Sequence, residues 1–188
     1  MARFTVYTLE NAPAASKPIL ENVKKAFGFV PNLQANMAES PELLAGYSAL
    51  WEQFSKSSLS QTEQQVVYLT ANFENECHYC MAGHTQLAKM QKIDGAVVQA
   101  IRDGRPIPDT KLEALHVFTT KVVRERGFAT DKDVATFLAA GYSKHNVLEV
   151  ILGVGTKTLS NYTNHIVHTQ LDDFMKGAEW SKPTARVA

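Results

Sequence analysis

The sequence contains little cysteine and no excess of either charge. Only two of its 188 residues are cysteine, and nineteen basic residues balance nineteen acidic ones. A chain without net charge has no general attraction to nucleic acid or to an anionic membrane surface, so we expect neither as a partner. A small, uncharged molecule is the more suitable substrate.

Long apolar runs and alternating patterns are lacking as well. The apolar stretches are far shorter than a membrane span, and the segment 1–4 has no apolar core of the kind that signal peptides carry. We therefore expect a cytoplasmic protein that does not enter the membrane. No stretch alternates between apolar and polar residues as a half-buried strand would, which leaves an all-α fold.

Helix signals occur along the whole chain. Ser40 followed by Pro41 is a cap with proline at the first helical position, and Ser60 opens a capping box. Such signals and the glycines that follow them predict about seven to nine helices. The last helix should be long, from Ser143 to about Lys176. The predicted caps are Ser16, Ser40, Ser60, Asp94, Thr130 and Ser143.

Two glycines interrupt the predicted last helix. Gly153 and Gly155 each lower the intrinsic stability of a helix by roughly 1 kcal/mol relative to alanine. Their presence indicates close packing of the backbone against another helix or another subunit. We expect one all-helical domain over residues 1–188, assembled as an oligomer.

Both cysteines belong to one motif, C-x-x-C-x-x-x-H, formed by Cys77, Cys80 and His84. On a helix the spacing i, i+3 and i+7 places two sulfurs and an imidazole on one face. A helix N-terminus, a histidine and a C-x-x-C arrangement each lower the pKa of a thiol. A peroxide converts such a thiol to a sulfenic acid, which a nearby second thiol converts to a disulfide. In a reducing cytoplasm this bond would be transient, so the motif predicts redox catalysis.

Three other interpretations of the motif stay open. The cysteines could simply pack in the core, as free cysteines often do. They could belong to a structural zinc site, with His78, His165 or His168 as the fourth ligand, although no second cysteine pair supports this. The chain could also be a redox sensor or interaction protein that uses the same pair without sustained turnover. Our preferred interpretation requires no metal and no cofactor.

The motif and the segment before it resemble a known family. Residues 59–67, with the sequence LSQTEQQVV, and residues 77–84, CHYCMAGH, are similar to the core of the alkylhydroperoxidase D-like, carboxymuconolactone decarboxylase superfamily. The resemblance is specific over about residues 42–125. A helical extension over about residues 126–176 resembles the longer, peroxidase-related members more loosely.

The resemblance implies an AhpD-like helical fold in a trimer, dimer or hexamer, and a peroxidase that reduces organic hydroperoxides at the expense of a dithiol reductant or a reductant protein. By the family pattern Cys80 attacks the peroxide, Cys77 resolves the product, and His84 belongs to the proton relay. The decarboxylase branch lacks the cysteine pair, which favours the peroxidase branch. A carboxymuconolactone decarboxylase-like enzyme is the alternative.

One position departs from the family pattern. The relay glutamate, twelve residues before the first cysteine, is Gln65 in this chain. Glutamine can orient a histidine or a water but accepts no proton. Glu63 lies about 200 degrees away around the helix and cannot replace it from the same face. The relay would therefore run through His84 alone or with help from Glu74 or Glu76, or the activity would differ from that of the family prototype.

Overall fold

Nine α-helices and no strand make up the regular structure of residues 4–183, the part of the chain that the computed structural model describes. The all-α AhpD-like fold expected from the sequence is thus confirmed at the level of its helices. The helices are α1 (Lys17–Phe27), α2 (Asn32–Met37), α3 (Pro41–Ser55), α4 (Gln61–Glu74), α5 (His78–Met90), α6 (Gly95–Arg102), α7 (Thr110–Arg124), α8 (Asp131–Ala139) and α9 (Lys144–Val167). In these described residues no helix is long and apolar enough to cross a bilayer.

The predicted caps are the observed ones. In five of the six, the side-chain oxygen accepts a hydrogen bond from a backbone N–H of the first helical turn, which satisfies donors that the helix itself leaves free. These five are Ser40, Ser60, Asp94, Thr130 and Ser143. Ser16 differs, because its buried hydroxyl donates to the carbonyl of Ala38 at 2.8 Å and ties α1 to the end of α2.

Helix α4 lies at the centre of the fold, packed against α5, α6, α7 and α9. Every residue from Gln65 to Phe73 is buried, so this helix is covered around its whole circumference. Its apolar side chains join those of α7 and α9 in the larger hydrophobic core. Because α4 is central, Gln65 near its start faces the interior between α5 and α9.

Gly153 is where α9 makes its closest approach to α3 and α4. A Cβ atom at this position would lie 2.7 Å from side-chain atoms of Phe54 and Val67, closer than packed carbon atoms come. The close packing expected at Gly153 is therefore confirmed. At Gly155 nothing within the described residues comes within 4 Å of such an atom. Oligomeric state and the single-domain boundaries stay predictions.

Helix α9 ends earlier than the sequence suggested. It stops at Val167 instead of continuing to about Lys176, because His168 adopts a left-handed conformation with φ 54°. The chain then turns back toward the start of α5, where the buried carboxylate of Asp172 accepts a hydrogen bond from the Tyr79 hydroxyl. The return segment contains only a short 3-10 helix, Asp173–Met175.

Candidate active site

The two cysteines lie at the start of α5, in different backbone conformations. Cys77 is the N-cap residue, with an extended φ of −85° and ψ of 98°, and Cys80 lies in the first helical turn. The placement of Cys77 inside the helix, as the sequence spacing suggested, is therefore wrong: Glu76 before it has a left-handed φ of 55°, and the Cys77 N–H bonds the Asn72 carbonyl. Both side chains are buried free thiols close to the positive end of the helix dipole.

Helix α9 supplies the polar groups around the sulfurs. The Asn164 side-chain amide donates to Cys80 Sγ at 3.1 Å and reaches Cys77 Sγ at 3.7 Å. Ser160 Oγ lies 3.7 Å from Cys80 Sγ. Because one amide nitrogen contacts both sulfurs, the two thiols are neighbours on the same side of α5.

These surroundings give the two thiols different acidities. Burial opposes ionisation of Cys80, but the Cys77 thiol, Lys157 and Ser160 outweigh it and lower the pKa of Cys80 well below its ordinary value. The neighbouring Cys80 sulfur, followed by burial, raises the pKa of Cys77 far above its usual range. Cys80 is therefore the more acidic thiol of the pair and Cys77 the less acidic one.

Lys157 of α9 is the site residue that the sequence reasoning missed. Its side chain is 1 % exposed, and its Nζ lies 5.3 Å from the centre of the Tyr68 ring. No carboxylate in residues 4–183 forms an ion pair with it. A buried ammonium needs a counter-charge, and Cys80, which borders the same cavity, has its pKa lowered by Lys157.

His84 and Gln65 continue the chain of hydrogen bonds beyond Lys157. The ammonium of Lys157 can only donate, so His84 Nε2, at 3.0 Å, is the acceptor. His84 Nδ1 therefore carries the proton and donates to Gln65 Oε1 at 2.8 Å. Burial, and next the charge of Lys157, lower the pKa of His84 well below its ordinary value, so the ring is neutral.

The structure thus brings Cys77, Cys80, His84 and Gln65 into one site. Lys157 lies between the cysteines and the other two residues. Both ring nitrogens of His84 have other partners, and the direct contact with Cys80 that helical spacing suggested is replaced by a path through Lys157. A motif within one helix could not predict this connection, because Lys157 belongs to α9.

The three glutamates considered as replacements for the family glutamate are engaged elsewhere. Each forms an ion pair with a basic side chain, and Glu63 also completes the capping box of α4. The partners are Lys111 for Glu63 at 3.3 Å, Arg124 for Glu74 at 2.5 Å and Lys182 for Glu76 at 3.2 Å. None of these pairs includes a cysteine or His84.

The cysteines border two separate cavities. A narrow cavity of about 50 Å³ is bordered by Cys80, His84 and Lys157. Its apolar wall includes Phe27, Tyr47, Trp51, Leu87, Phe174 and Met175. An open cleft of about 680 Å³ is instead bordered by Cys77, with His165 and His168 on its wall. These two histidines therefore line the cleft beside Cys77 and not the cavity beside Cys80.

A zinc arrangement does not form around the motif in the described part of the chain. No three His, Cys, Asp or Glu side chains of residues 4–183 lie together in positions that could hold a metal ion. His78, one of the fourth ligands considered, has its Nδ1 2.7 Å from the carbonyl of Trp180.

A comparison with protein families identifies the helical core. Residues 41–119 match the model of the Carboxymuconolactone decarboxylase family. This match supports the resemblance to the alkylhydroperoxidase D-like, carboxymuconolactone decarboxylase superfamily. The resemblance inferred from the sequence is confirmed. No curated protein matches the chain.

Solved structures share the fold of this chain over nearly its whole length. The alkylhydroperoxidase AhpD core of an uncharacterized peroxidase-related protein from Ralstonia eutropha JMP134 has a TM-score of 0.82 and 18% identity, covering 92% of this chain and 93% of that one. An uncharacterized peroxidase-related protein from Silicibacter sp. TM1040 has a TM-score of 0.76 and 17% identity, covering 89% and 90%. The debrominase Bmp8, as a cysteine-to-alanine variant with 2,3,4-tribromopyrrole, has a TM-score of 0.78 and 14% identity, covering 95% and 96%.

Proposed function

We propose that this protein is a thiol-dependent peroxidase that reduces organic hydroperoxides by a dithiol and disulfide cycle of Cys80 and Cys77. The observation that supports this best is that the Cys80 sulfur, ionised beside the buried Lys157, borders a cavity with apolar walls. A thiolate is the reactive form of cysteine, and apolar walls suit an organic substituent on the peroxide. The match of residues 41–119 to the family model is consistent with this chemistry.

The first step is attack of the Cys80 thiolate on the terminal oxygen of the hydroperoxide. A sulfur–oxygen bond forms, the oxygen–oxygen bond breaks, and Cys80 becomes a sulfenic acid. The leaving alkoxide takes a proton from the ammonium of Lys157 and departs as the alcohol. Solvent protons then restore Lys157.

The second step forms the disulfide. The Cys77 sulfur attacks the sulfenic sulfur of Cys80 and displaces its oxygen, which leaves as water with the Cys77 thiol proton. Asn164, which contacts both sulfurs, keeps them in position for this reaction. The two cysteines have then lost two electrons to the peroxide.

In this proposal His84 and Gln65 position Lys157. The neutral imidazole accepts a hydrogen bond from the ammonium, and Gln65 fixes the ring in the tautomer that allows it. A glutamine suffices for this task because no proton needs to pass beyond His84. The family glutamate is thereby dispensable in this chain.

A second candidate function is reductive debromination of an aromatic ring. The aromatic side chains around the Cys80 cavity favour it, and the solved debrominase with the same fold is bound to a tribromopyrrole. The Cys80 thiolate would take the bromine, the ring carbon would take a proton from Lys157, and Cys77 would release bromide by forming the disulfide.

The test is consumption of cumene hydroperoxide with dithiothreitol as reductant, comparing the parent with Cys80→Ser and Cys77→Ser. Cys80→Ser should be inactive, whereas Cys77→Ser, mixed with the hydroperoxide before any dithiothreitol is added, should consume one equivalent and stop at the sulfenic acid. The double variant serves as the blank. Full turnover by Cys80→Ser with loss in Cys77→Ser would reverse the two roles.

The same assay separates the alternatives. Oxidation of the cysteine pair by peroxide without repeated turnover would indicate a redox sensor. Release of bromide from 2,3,4-tribromopyrrole, with no consumption of hydroperoxide, would indicate a debrominase.

A further inference from the structure

A surface groove lies next to the narrow cavity that Cys80 borders. The groove has a volume of about 540 Å³ and runs between α1 and α3. Four residues are on the wall of both spaces, namely Phe27, Gln34, Tyr47 and Trp51. These four side chains therefore form the partition between the groove and the cavity.

The wall of the groove is mainly apolar. Among the described residues on this wall, Glu52 alone is charged, and its carboxylate pairs with Lys56 at 2.5 Å. A wall without a basic side chain offers no partner to a carboxylate or a phosphate, whereas its apolar side chains suit a hydrocarbon. The apolar residues that lie outside the partition are Ile19, Val23, Ala26, Ala45 and Ala49.

The cavity beside Cys80 is too small for a whole organic hydroperoxide. Its volume is about 50 Å³, and one water molecule already occupies about 30 Å³ in the liquid. Cys80 itself is only 3 % exposed. The cavity therefore has space for the hydroperoxy group and the carbon next to it, and the rest of such a substrate must lie elsewhere.

Gln34 places an unpaired hydrogen-bond acceptor at the partition. Its side chain is 8 % exposed, and its Oε1 has no hydrogen-bond partner among residues 4–183. A buried polar atom without a partner lowers stability, and a ligand that supplies the missing donor recovers this free energy. The terminal O–H of a hydroperoxide is such a donor.

We propose that the groove between α1 and α3 binds the hydrocarbon chain of an unbranched, uncharged hydroperoxide, whose terminal O–H donates a hydrogen bond to Gln34 Oε1. This inference rests on the proposed peroxidase reaction at Cys80 and names the substrate class of that reaction. The chain lies in the groove, and the hydroperoxy group crosses the partition into the cavity.

Phe27 is the part of the partition that can give way to a slender chain. It is the last residue of α1, is only partly buried, and meets the Trp51 ring edge-on with the ring centroids 6.5 Å apart. Trp51 is held more firmly, because its ring stacks on Tyr68 with centroids 5.2 Å apart. A small displacement of the Phe27 ring joins the two spaces.

The hydrogen bond to Gln34 is compatible with the reaction at sulfur. When the Cys80 thiolate attacks the terminal oxygen, the sulfur–oxygen bond forms and the oxygen–oxygen bond breaks. The hydrogen stays on the transferred oxygen, so Gln34 accepts first from the hydroperoxide and then from the sulfenic acid. The leaving alkoxide carries the hydrocarbon chain and takes its proton from Lys157.

The first test measures how the rate depends on chain length. Stopped-flow oxidation of the reduced protein is compared for ethyl, n-butyl, n-hexyl and n-octyl hydroperoxide. Each methylene that leaves water should raise the second-order rate constant about two- to fourfold. The n-octyl compound should therefore react at least tenfold faster than the ethyl compound. The branched tert-butyl hydroperoxide should react more slowly than n-butyl hydroperoxide.

The second test fills the groove. Ala49→Trp, exposed on the groove wall, should slow the reaction of n-octyl hydroperoxide at least tenfold and leave that of ethyl hydroperoxide unchanged. Gln53→Trp is the matched control, because it is exposed on the same helix but is not on this wall, and it should change neither rate. Ala45→Trp, also on the wall, repeats the test if Ala49→Trp does not fold.

The third test concerns Gln34 and uses Cys77→Ser as the background, so that only Cys80 reacts. Gln34→Leu should slow oxidation by every hydroperoxide about five- to tenfold, as loss of one hydrogen bond does. Methyl methanethiosulfonate has no O–H to donate, so its reaction with Cys80 should keep the parent rate. Thermal stability should stay the same or rise, because the variant removes an unpaired polar atom.

Equal rate constants for ethyl and n-octyl hydroperoxide, or a preference for n-octyl that survives in both wall variants, would overturn the proposal. So would a Gln34→Leu protein that is less stable and reacts more slowly with both classes of reagent, because Gln34 would then have a structural role. If none of these hydroperoxides oxidises Cys80, the proposed peroxidase function fails as well, whereas equal rates for all of them would leave that function intact.

Discussion

Lys157 Nζ and His84 Nε2 are 3.0 Å apart in the interior of the protein, and both side chains are almost fully buried. The pair joins α9 to α5 and connects Lys157, which borders the same cavity as Cys80, to Gln65. Because His84 is neutral, the lysine is the only positive side chain in this chain of contacts. The properties of the site therefore depend chiefly on Lys157.

Replacing Lys157 by methionine should slow oxidation of Cys80 by a hydroperoxide about a hundredfold or more at neutral pH. The variant loses both the charge that stabilises the thiolate and the acid that protonates the leaving alkoxide, and general acid catalysis contributes at least about this much. The measurement is stopped-flow oxidation. Lys144→Met, an exposed lysine on the same helix, is the control and should react like the parent. Equal rates for the two variants would contradict the role of Lys157.

The rate of peroxide reduction should change little across the neutral range and fall in acid. The thiolate is present above the lowered pKa of Cys80 and is lost as pH falls through that value. A cysteine of ordinary acidity would instead gain rate up to a pH of about 8.5. Thiolate absorbance at 240 nm gives the same midpoint independently. A midpoint at or above the ordinary value would contradict the prediction.

The free energy of unfolding should also depend on pH through the Cys80 thiol. Since its folded pKa is lowered, the folded protein binds fewer protons than the unfolded chain between this pKa and the ordinary value, so Cys80 stabilises the fold increasingly as pH rises through the window. The contribution is lost as pH falls through the lowered pKa. Urea unfolding at several pH values below about 8.5 should show a steeper rise for the parent than for Cys80→Ser. The same pH dependence of stability in the parent and in Cys80→Ser would contradict this prediction.

Replacing Gln65 by glutamate should raise the pKa of His84, because a carboxylate next to Nδ1 stabilises the imidazolium. A protonated His84 no longer accepts a hydrogen bond from Lys157 and repels it, so peroxide reduction should become slower on the acid side. Proton NMR of the imidazole follows the titration. Gln61→Glu, exposed in the first turn of the same helix, should leave His84 unaffected. An unchanged His84 titration in Gln65→Glu would contradict the hydrogen bond.

Alanine at Gly153 should destabilise the protein by about 1 to 3 kcal/mol, as overpacked cores generally do. Its Cβ would meet Phe54 and Val67 at 2.7 Å. Alanine at Gly155 has free space within the described chain and should stabilise α9 by up to about 1 kcal/mol. Thermal unfolding of the two variants provides the comparison. A loss of stability at Gly155 would indicate that another subunit covers this position.

Much of the fold could be predicted because its information is local. Helix caps such as Ser60 and Thr130 satisfy donors within their own first turn, so a few adjacent residues define each start. The end of α9 was missed for the opposite reason. His168 is not a residue that commonly ends a helix, and the turn is held by Asp172 through a contact with Tyr79, far away in the sequence.

The sequence predicted only those residues of the candidate site that lie close together in sequence or match the family pattern. Cys77, Cys80 and His84 are adjacent in sequence, but their bonding depends on Lys157, which comes from another element. A signal for it does exist: Lys157 falls on the inward face of α9, where a charged side chain is out of place. Spacing alone could not show that this face is buried against the cysteines.

The separation of 73 residues between His84 and Lys157 also has a consequence during synthesis. A nascent chain that has left the ribosome only as far as α5 carries two cysteines without their lysine or the Asn164 amide. Its sulfurs then have the low reactivity of thiols in an unstructured peptide. They gain the neighbours that lower the pKa of Cys80 only when α9 docks, so the acidity of this thiol depends on folding of the C-terminal part of the chain.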